Sequence, residues 1–306
     1  MGDSLRPLGA PRRLVALPVP AGAPRDGDPA ATRGCLEALG YRVHLPGHAG
    51  ARHRYLAGTV QQRLDDLHEV FGLAQATAIW CLRGGYGSAQ LIEGIDWTRP
   101  GAAPLLGYSD ISALLSALHR RGHRAIHAPV ASELRYLESA ETTEEARARR
   151  RSMNAIAEVL AGGGGAMPAE HASGPEAPVQ GVLIGGNLTT LASLAGTPAA
   201  LYVPPESLLL LEDVGEAPYR LERSFHQLME SLPVGHLTGV ALGSFTHCTP
   251  EGAQVIAEVA TEWLAPQRLP LYHRLPFGHS ALNLPWPVGR KARLGQGRLV
   301  WQPEES

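Results

Sequence analysis

The chain has 306 residues, 44% hydrophobic and 18% charged, a globular composition with room for one large domain or two ordinary ones. Its formal net charge of -2 gives no basic field for nucleic acid. Lys291 is the only lysine, in the context GRKARL, which excludes a lysine-activated phosphate loop and leaves little place for a lysine Schiff base.

Residues 14–20 (LVALPVP) read as a first strand, followed by a Gly/Pro/Asp-rich loop over 21–28. Residues 29–39 read as a helix stopped by Gly40, and 41–45 as a second strand. Residues 59–71 are amphipathic, with Val60, Leu64, Leu67 and Phe71 on one helical face. A third strand, 76–82, runs straight into Arg83-Gly84-Gly85-Tyr86-Gly87, a glycine loop placed before a short helix. Next comes APLLGYSDISALLSAL, residues 103–118. Here an apolar strand ends in Tyr108, Ser109 and Asp110, and a helical pattern begins at once with Ile111, Leu114, Leu115 and Leu118. Residues 125–129 read as a further strand. Strands alternating with helices at this interval predict a parallel sheet covered on both faces.

From 132 to 178 the character changes. Residues 144–151 are charge-dense, 162–165 are four glycines, and 167–179 are rich in Ala, Pro and Gly without periodicity. This is expected to be a helical linker and a loop, either a tether or a substrate-facing flap. Strand-like runs resume at 181–184, 208–211 and 240–245, with helices expected over 219–229 and 253–264 and a hairpin over 292–302. The expected class is α/β in two domains: an N-terminal parallel-sheet domain, 1–131, and a C-terminal mixed β/α domain, 179–306. The active site is expected between them.

Several residues could carry chemistry. A serine at a sharp strand-to-helix junction is where a hydrolase presents a nucleophile, beside unpaired helical N–H groups that favour developing negative charge. The competing reading is that Ser109 or Asp110 caps the helix. The loop 83–87 suits an oxyanion or phosphate cradle and lacks the dinucleotide glycine spacing. Gly185-Gly186-Asn187 reads as a tight turn rather than a second cradle. Residues 207–211 form a core strand ending in Glu212 and Asp213, where sites in α/β folds gather. None of the histidines has metalloprotease spacing, and Cys35, Cys81 and Cys248 lack paired metal spacing, so no metal is expected. His279 stands out because Gly278 precedes it, allowing the backbone to bend and bring the ring close to a partner. Ser109, an acid near 212 and His279 would together form an acyl-transfer triad. Gly107 to Ile111 is not a full G-x-S-x-G, a departure from ordinary α/β-hydrolases. With no apolar run of signal length at the N-terminus and none near ~18 residues elsewhere, the expectation is the reducing cytoplasm with no membrane partner.

The segments YLAGTVQQRLDDL, CLRGGYGSAQLIEGIDW, LLGYSDISALLSAL, HAPV, GVLIGGNLTTLASLAGT, LLLLEDVGEAPYRLERSFHQL, GVALGSF and LPFGHSALNLPWPVG follow one another from 55 to 289. With them the chain resembles the LD-carboxypeptidases, the serine peptidase family that also contains the microcin C self-immunity proteins. The resemblance implies Ser109 as nucleophile, Glu212 as orienting acid, His279 as base and then acid, and an oxyanion hole from the N–H groups of Gly85 and Asp110. Arg83, Gly84, Tyr108 and Asn187 are candidate substrate contacts. The family fold has two domains with the site between them and is commonly a homodimer. Its typical reaction removes the terminal D-alanine from murein tetrapeptide in the cytoplasm, with no cofactor. The residues 18–22 (PVPAG) depart from the family's usual Pro-Ser-type turn. Residues 162–178 carry no aromatic of the kind with which immunity-type relatives stack a nucleotide, which favours a muropeptide substrate over an aminoacyl-nucleotide toxin. A non-enzymatic small-peptide binder is a third reading.

Overall fold

The computed structural model describes residues 5–25, 27–137 and 144–304. Part of the expected linker, 138–143, lies outside the described residues. In chain order the first elements are β1 (Leu14–Ala16), α1 (Asp28–Ala38), β2 (Arg42–His44), α2 (Val60–Phe71), β3 (Ala76–Trp80), β4 (Leu105–Gly107), α3 (Ser112–Arg120) and β5 (Ala125–His127). Then follow α4 (Glu144–Leu160), β6 (Gly165–Pro168), β7 (Glu170–Ser173), β8 (Val179–Asn187), α5 (Leu188–Ser193), β9 (Ser207–Val214) and α6 (Pro218–Ser231). The chain closes with β10 (Leu237–Thr246), α7 (Thr249–Leu264), β11 (Leu271–His273), β12 (Trp286–Val288), β13 (Lys291–Gly295) and β14 (Arg298–Trp301).

Two sheets result. The first has six strands in the order β12-β5-β4-β3-β1-β2, of which β1 to β5 run parallel. The second has eight strands in the order β6-β14-β13-β8-β9-β10-β11-β7, mixing a parallel centre, β8 to β11, with antiparallel edges. The α/β class with one parallel and one mixed sheet is therefore observed. β12 crosses back from the C-terminal part of the chain to pair antiparallel with β5, so the first sheet is built from both ends of the sequence.

The parallel strands are buried on both faces, and their alternate residues serve different cores. On β9, Leu208 and Leu210 join a core shared with the first sheet, through Trp80, Leu106 and Trp286. Leu209 and Leu211 face α6 and α7, against Phe225, Met229 and Ile256. The period-2 alternation of a strand accounts for this split. Across the first sheet's outer face, Leu64, Leu67 and Phe71 of α2 pack with Leu114, Leu115 and Leu118 of α3. α2 starts sharply because Thr59 and Gln62 close a reciprocal capping box: Gln62 N–H donates to Thr59 Oγ1 at 3.2 Å and Thr59 N–H to Gln62 Oε1 at 2.9 Å.

Two sequence expectations change. The aperiodic stretch expected as a loop contains β6 and β7, which pair on opposite edges of the second sheet. Edge strands bury one side only, and Met167 is the one fully buried side chain of β6, so no hydrophobic alternation marks them. Gly185-Gly186-Asn187 is the end of β8 rather than a turn, with Asn187 in register with Glu212 of β9. Glycines there admit the neighbouring elements closely: a Cβ on Gly186 would lie 2.3 Å from Ser112 Oγ at the start of α3.

Candidate functional site

Ser109 follows β4 and sits at φ 64°, a left-handed conformation that is strained for a residue with a side chain. It opens a short 3-10 turn, 109–111, that leads into α3. Neither Ser109 nor Asp110 is a helix cap by its side chain. The Asp110 carboxylate instead turns to the glycine loop, where Ser88 N–H donates to Asp110 Oδ2 at 2.8 Å, and Ser88 Oγ donates to the Asp110 carbonyl at 2.6 Å. Burial raises the Asp110 carboxyl above its ordinary range, opposed by the hydrogen bonds from Ser88 and Gly87 and by Arg63.

The glycine loop is pressed onto this turn. A Cβ on Gly84 would lie 2.9 Å from Ser109 Cβ and 3.1 Å from Ser109 Oγ, so only glycine lets the two backbones approach. Gly85 has φ 116° and lies against Gly22, whose N–H donates to the Gly84 carbonyl at 3.2 Å. The loop is fastened from below by Arg63, 1% exposed on α2. Its Nη1 donates to the carbonyls of Pro20 at 2.9 Å and Gly87 at 2.7 Å, and its Nη2 to Gln90 Oε1 at 2.6 Å.

On the other sheet, Glu212 on β9 is fully buried, and its Oε2 accepts from His279 Nδ1–H at 2.6 Å. Glu212 Oε1 has no hydrogen-bond partner among the described residues, which leaves the imidazole as the carboxylate's partner. Gly278 makes this approach possible. It has φ 108°, and a Cβ there would lie 2.7 Å from Glu212 Cβ and 2.8 Å from Glu212 Oε2. The loop holding His279 is pinned at several points. Ser244 N–H and Oγ both donate to the Phe277 carbonyl, Thr246 Oγ1 donates to the His279 carbonyl at 3.0 Å, and Gly278 N–H donates to Asn283 Oδ1 at 3.0 Å. Asn283 N–H in turn donates to Ser152 Oγ on α4 at 2.8 Å, so α4 braces the site.

The two halves meet through Tyr108. Its ring lies 4.5 Å from that of His279 and 5.9 Å from that of His127, which stacks on Trp286 at 4.9 Å. Ser109 is the next residue in the chain after Tyr108. Burial pulls the His279 pKa down, but the charge and hydrogen bond of Glu212, with the charges of Asp213 and Glu133, outweigh it and raise the value overall. His127 is fully buried, and burial with the nearby His279 pushes it down to about 3, so it stays neutral. Burial also drives up the Cys81 thiol, which sits just past β3 as a packing group.

The remaining candidate contacts divide. Arg83, the first residue of the loop, is partly buried, with Nη1 donating to the Ala23 carbonyl at 2.7 Å. Asn187 is 5% exposed and occupied in scaffolding. Its Oδ1 accepts from Thr190 N–H and Oγ1, its Nδ2 donates to Asp213 Oδ1, and its own N–H donates to Ser112 Oγ at 3.0 Å. Helix capping takes up its acceptor oxygen. Arg63, Glu133, His127 and Ser152 escaped the sequence reading. A lone polar residue inside an apolar helical face is the signal that could have flagged Arg63. Among the described residues there is no group of three His, Cys, Asp or Glu side chains able to hold a metal ion.

Comparison with known proteins identifies the family and the fold. Residues 15–128 match the model of the LD-carboxypeptidase N-terminal domain, and residues 180–294 that of the LD-carboxypeptidase C-terminal domain. The chain is 49% identical over 291 residues to a murein tetrapeptide carboxypeptidase of Pseudomonas aeruginosa, covering 94% of each chain. A solved muramoyltetrapeptide carboxypeptidase from Oxalobacter formigenes superposes with a TM-score of 0.79 at 25% identity, covering 96% of this chain and 100% of that one. An MccF-like protein from Bacillus anthracis shares the fold, with a TM-score of 0.81 at 20% identity over 96% of this chain and 98% of that one.

Proposed function

The chain belongs to the LD-carboxypeptidase family, and from that premise we propose that it releases the terminal D-alanine of murein tetrapeptides by a Ser109–His279–Glu212 triad. The observation that carries the reading is the 2.6 Å bond between the fully buried Glu212 and His279, with Tyr108, which leads into the strained serine turn, packed 4.5 Å from the His279 ring. Glu212 on Nδ1 fixes the tautomer that leaves Nε2 free to accept a proton. Ser109 Oγ attacks the carbonyl of the scissile bond while His279 takes its proton. The oxyanion is held by the N–H groups of Gly85 and Asp110, which the Ser88–Asp110 bonds keep together. The tetrahedral species collapses as His279 returns the proton to the departing D-alanine nitrogen. Water, activated by the same imidazole, then cleaves the acyl-enzyme and regenerates Ser109.

The substrate class is taken from the similarity to the P. aeruginosa protein. A homodimer acting in the cytoplasm completes the proposal and rests on the family resemblance; sedimentation and cell fractionation test it. Among the described residues no helix is long and apolar enough to cross a membrane. The decisive assay is D-alanine release from purified murein tetrapeptide by the native chain and by Ser109→Ala. Loss of about three orders of magnitude or more in kcat is expected, and equal release by both would refute the triad.

A further inference from the structure

Arg83 opens the glycine loop and directly precedes Gly84, the residue pressed onto Ser109. It is half-buried, and the main chain holds its guanidinium by two arms: Nε donates to the Gly84 carbonyl at 3.3 Å and Nη1 to the Ala23 carbonyl at 2.7 Å. Nη2 has no hydrogen-bond partner among the described residues, and no carboxylate among them pairs with Arg83. The free arm lies over the loop. A Cβ on Gly85 would stand 3.6 Å from Arg83 Nη2, and one on Gly22 would stand 3.5 Å from Arg83 Nε. The neighbouring cations are engaged elsewhere. Arg52 Nη2 donates to the Pro24 carbonyl at 2.8 Å, Arg25 Nη1 donates to the Tyr136 hydroxyl at 3.3 Å, Arg135 pairs with Asp28, and Arg63 holds the loop from below. Burial, then the charges of Arg25 and Arg52, pull the Arg83 pKa below its ordinary value, an effect that an anion against the guanidinium would reverse.

We infer that Arg83 is a specificity-determining residue: its Nη2 binds the free α-carboxylate of the departing D-amino acid and so confines cleavage to the C-terminal peptide bond. This role rests on the proposed function, in which the Gly85 N–H holds the oxyanion. In such a substrate only the amide nitrogen and one α-carbon separate the carboxylate from the scissile carbonyl, a span of about 4 Å by bond geometry. Whatever reads the carboxylate must therefore stand beside the oxyanion donors, and the Arg83 side chain meets Gly85. A charge-assisted bond to a carboxylate is stronger than one between neutral groups, and a guanidinium is the cation suited to it. The bonds to the Gly84 and Ala23 carbonyls fix the guanidinium before substrate arrives, so little side-chain freedom is lost on binding. An internal bond of a longer peptide, or a C-terminal amide, offers no negative charge there and leaves Nη2 without its partner.

The test measures kcat/KM for murein tetrapeptide and for the same peptide ending in D-alaninamide, with the full native chain, Arg83→Met and Arg83→Lys. The native chain is expected to prefer the acid by roughly 10²-fold, the scale of one hydrogen bond between charged groups. In Arg83→Met that preference falls to within about threefold of unity, because the acid loses its partner. Arg83→Lys keeps a charge without the fixed fork and retains a preference of roughly tenfold. An Arg83 that only holds the loop would slow both substrates alike and leave the ratio at its native value. That result overturns the inference, as does a native chain that cleaves the amide as fast as the acid. If a thermal melt shows that Arg83→Met does not fold, the ratio for Arg83→Lys decides by the same rule. D-alanine release by the native chain with an unchanged ratio in the variants keeps the proposed function and removes Arg83 from it, whereas no release from either substrate removes both.

Discussion

Gly278 lies so close to Glu212 that a single added methyl would stand 2.8 Å from the carboxylate oxygen that bonds His279. Gly278→Ala therefore forces either the loop or the acid to move, at a residue whose φ of 108° already disfavours a side chain. The expected outcome is a loss of roughly 10²-fold in kcat, the scale on which a misplaced group costs rate. Steady-state kinetics beside a thermal melt check it, and retention of kcat would mean that the Glu212–His279 contact does not matter.

Glu212→Gln keeps the shape of the acid but can present its amide N–H to Nδ1, favouring the wrong tautomer. A drop of roughly 10³–10⁴ in kcat is expected, by analogy with the amide substitution of the acid in serine protease triads. A crystal structure of the variant should show the imidazole within its native position.

The pH dependence follows from His279, whose pKa in the folded chain is raised above the ordinary imidazole value. The base must be neutral to accept the serine proton, so kcat/KM should rise with pH through a midpoint above ~6.5. Stability moves the opposite way. A raised folded-state pKa means that the stabilisation from the protonated ring is complete below the unfolded value and is lost as pH rises through the folded one. Denaturant midpoints across this window, compared with those of His279→Gln, should reveal that loss.

Gly84→Ala tests the oxyanion side. The new methyl would lie 2.9 Å from Ser109 Cβ, so the loop must lift from the serine turn. A loss of roughly 10²-fold in kcat is expected, comparable to removing one oxyanion donor, with only a modest shift of the melting temperature. A variant with native kcat would separate the loop from catalysis.

Arg63→Met removes the donors that hold the carbonyls of Pro20 and Gly87 and leaves those acceptors without their partner. The expected destabilisation is about 3 kcal/mol, from lost hydrogen bonds to a charged donor inside the protein. Urea denaturation measures it, and a change under ~0.5 kcal/mol would make Arg63 a bystander.

Much of the fold is legible in the sequence where periodicity is strong. The leucine run 208–211 marks a doubly buried strand, and α2 and α3 follow from their apolar faces. The glycine before His279 was legible too, since its contact with Glu212 is a local consequence of having no side chain. Edge strands β6 and β7 were not, because one-sided burial leaves no alternation to read. The return of β12 to the first sheet was equally hidden, since WPV has no feature that specifies a partner far away in sequence. Arg63, Glu133 and Ser152 act through atoms supplied by distant segments, and only the folded chain brings those atoms together.

The route of β12 has a mechanical corollary. His279 rides on the stretch of chain that leaves β11 in the second sheet and arrives at β12 in the first. Any hinge motion between the two sheets must be absorbed along that same stretch, and it would carry His279 with it. The position of His279 and the separation of the two sheets are thus geared to one another by chain connectivity.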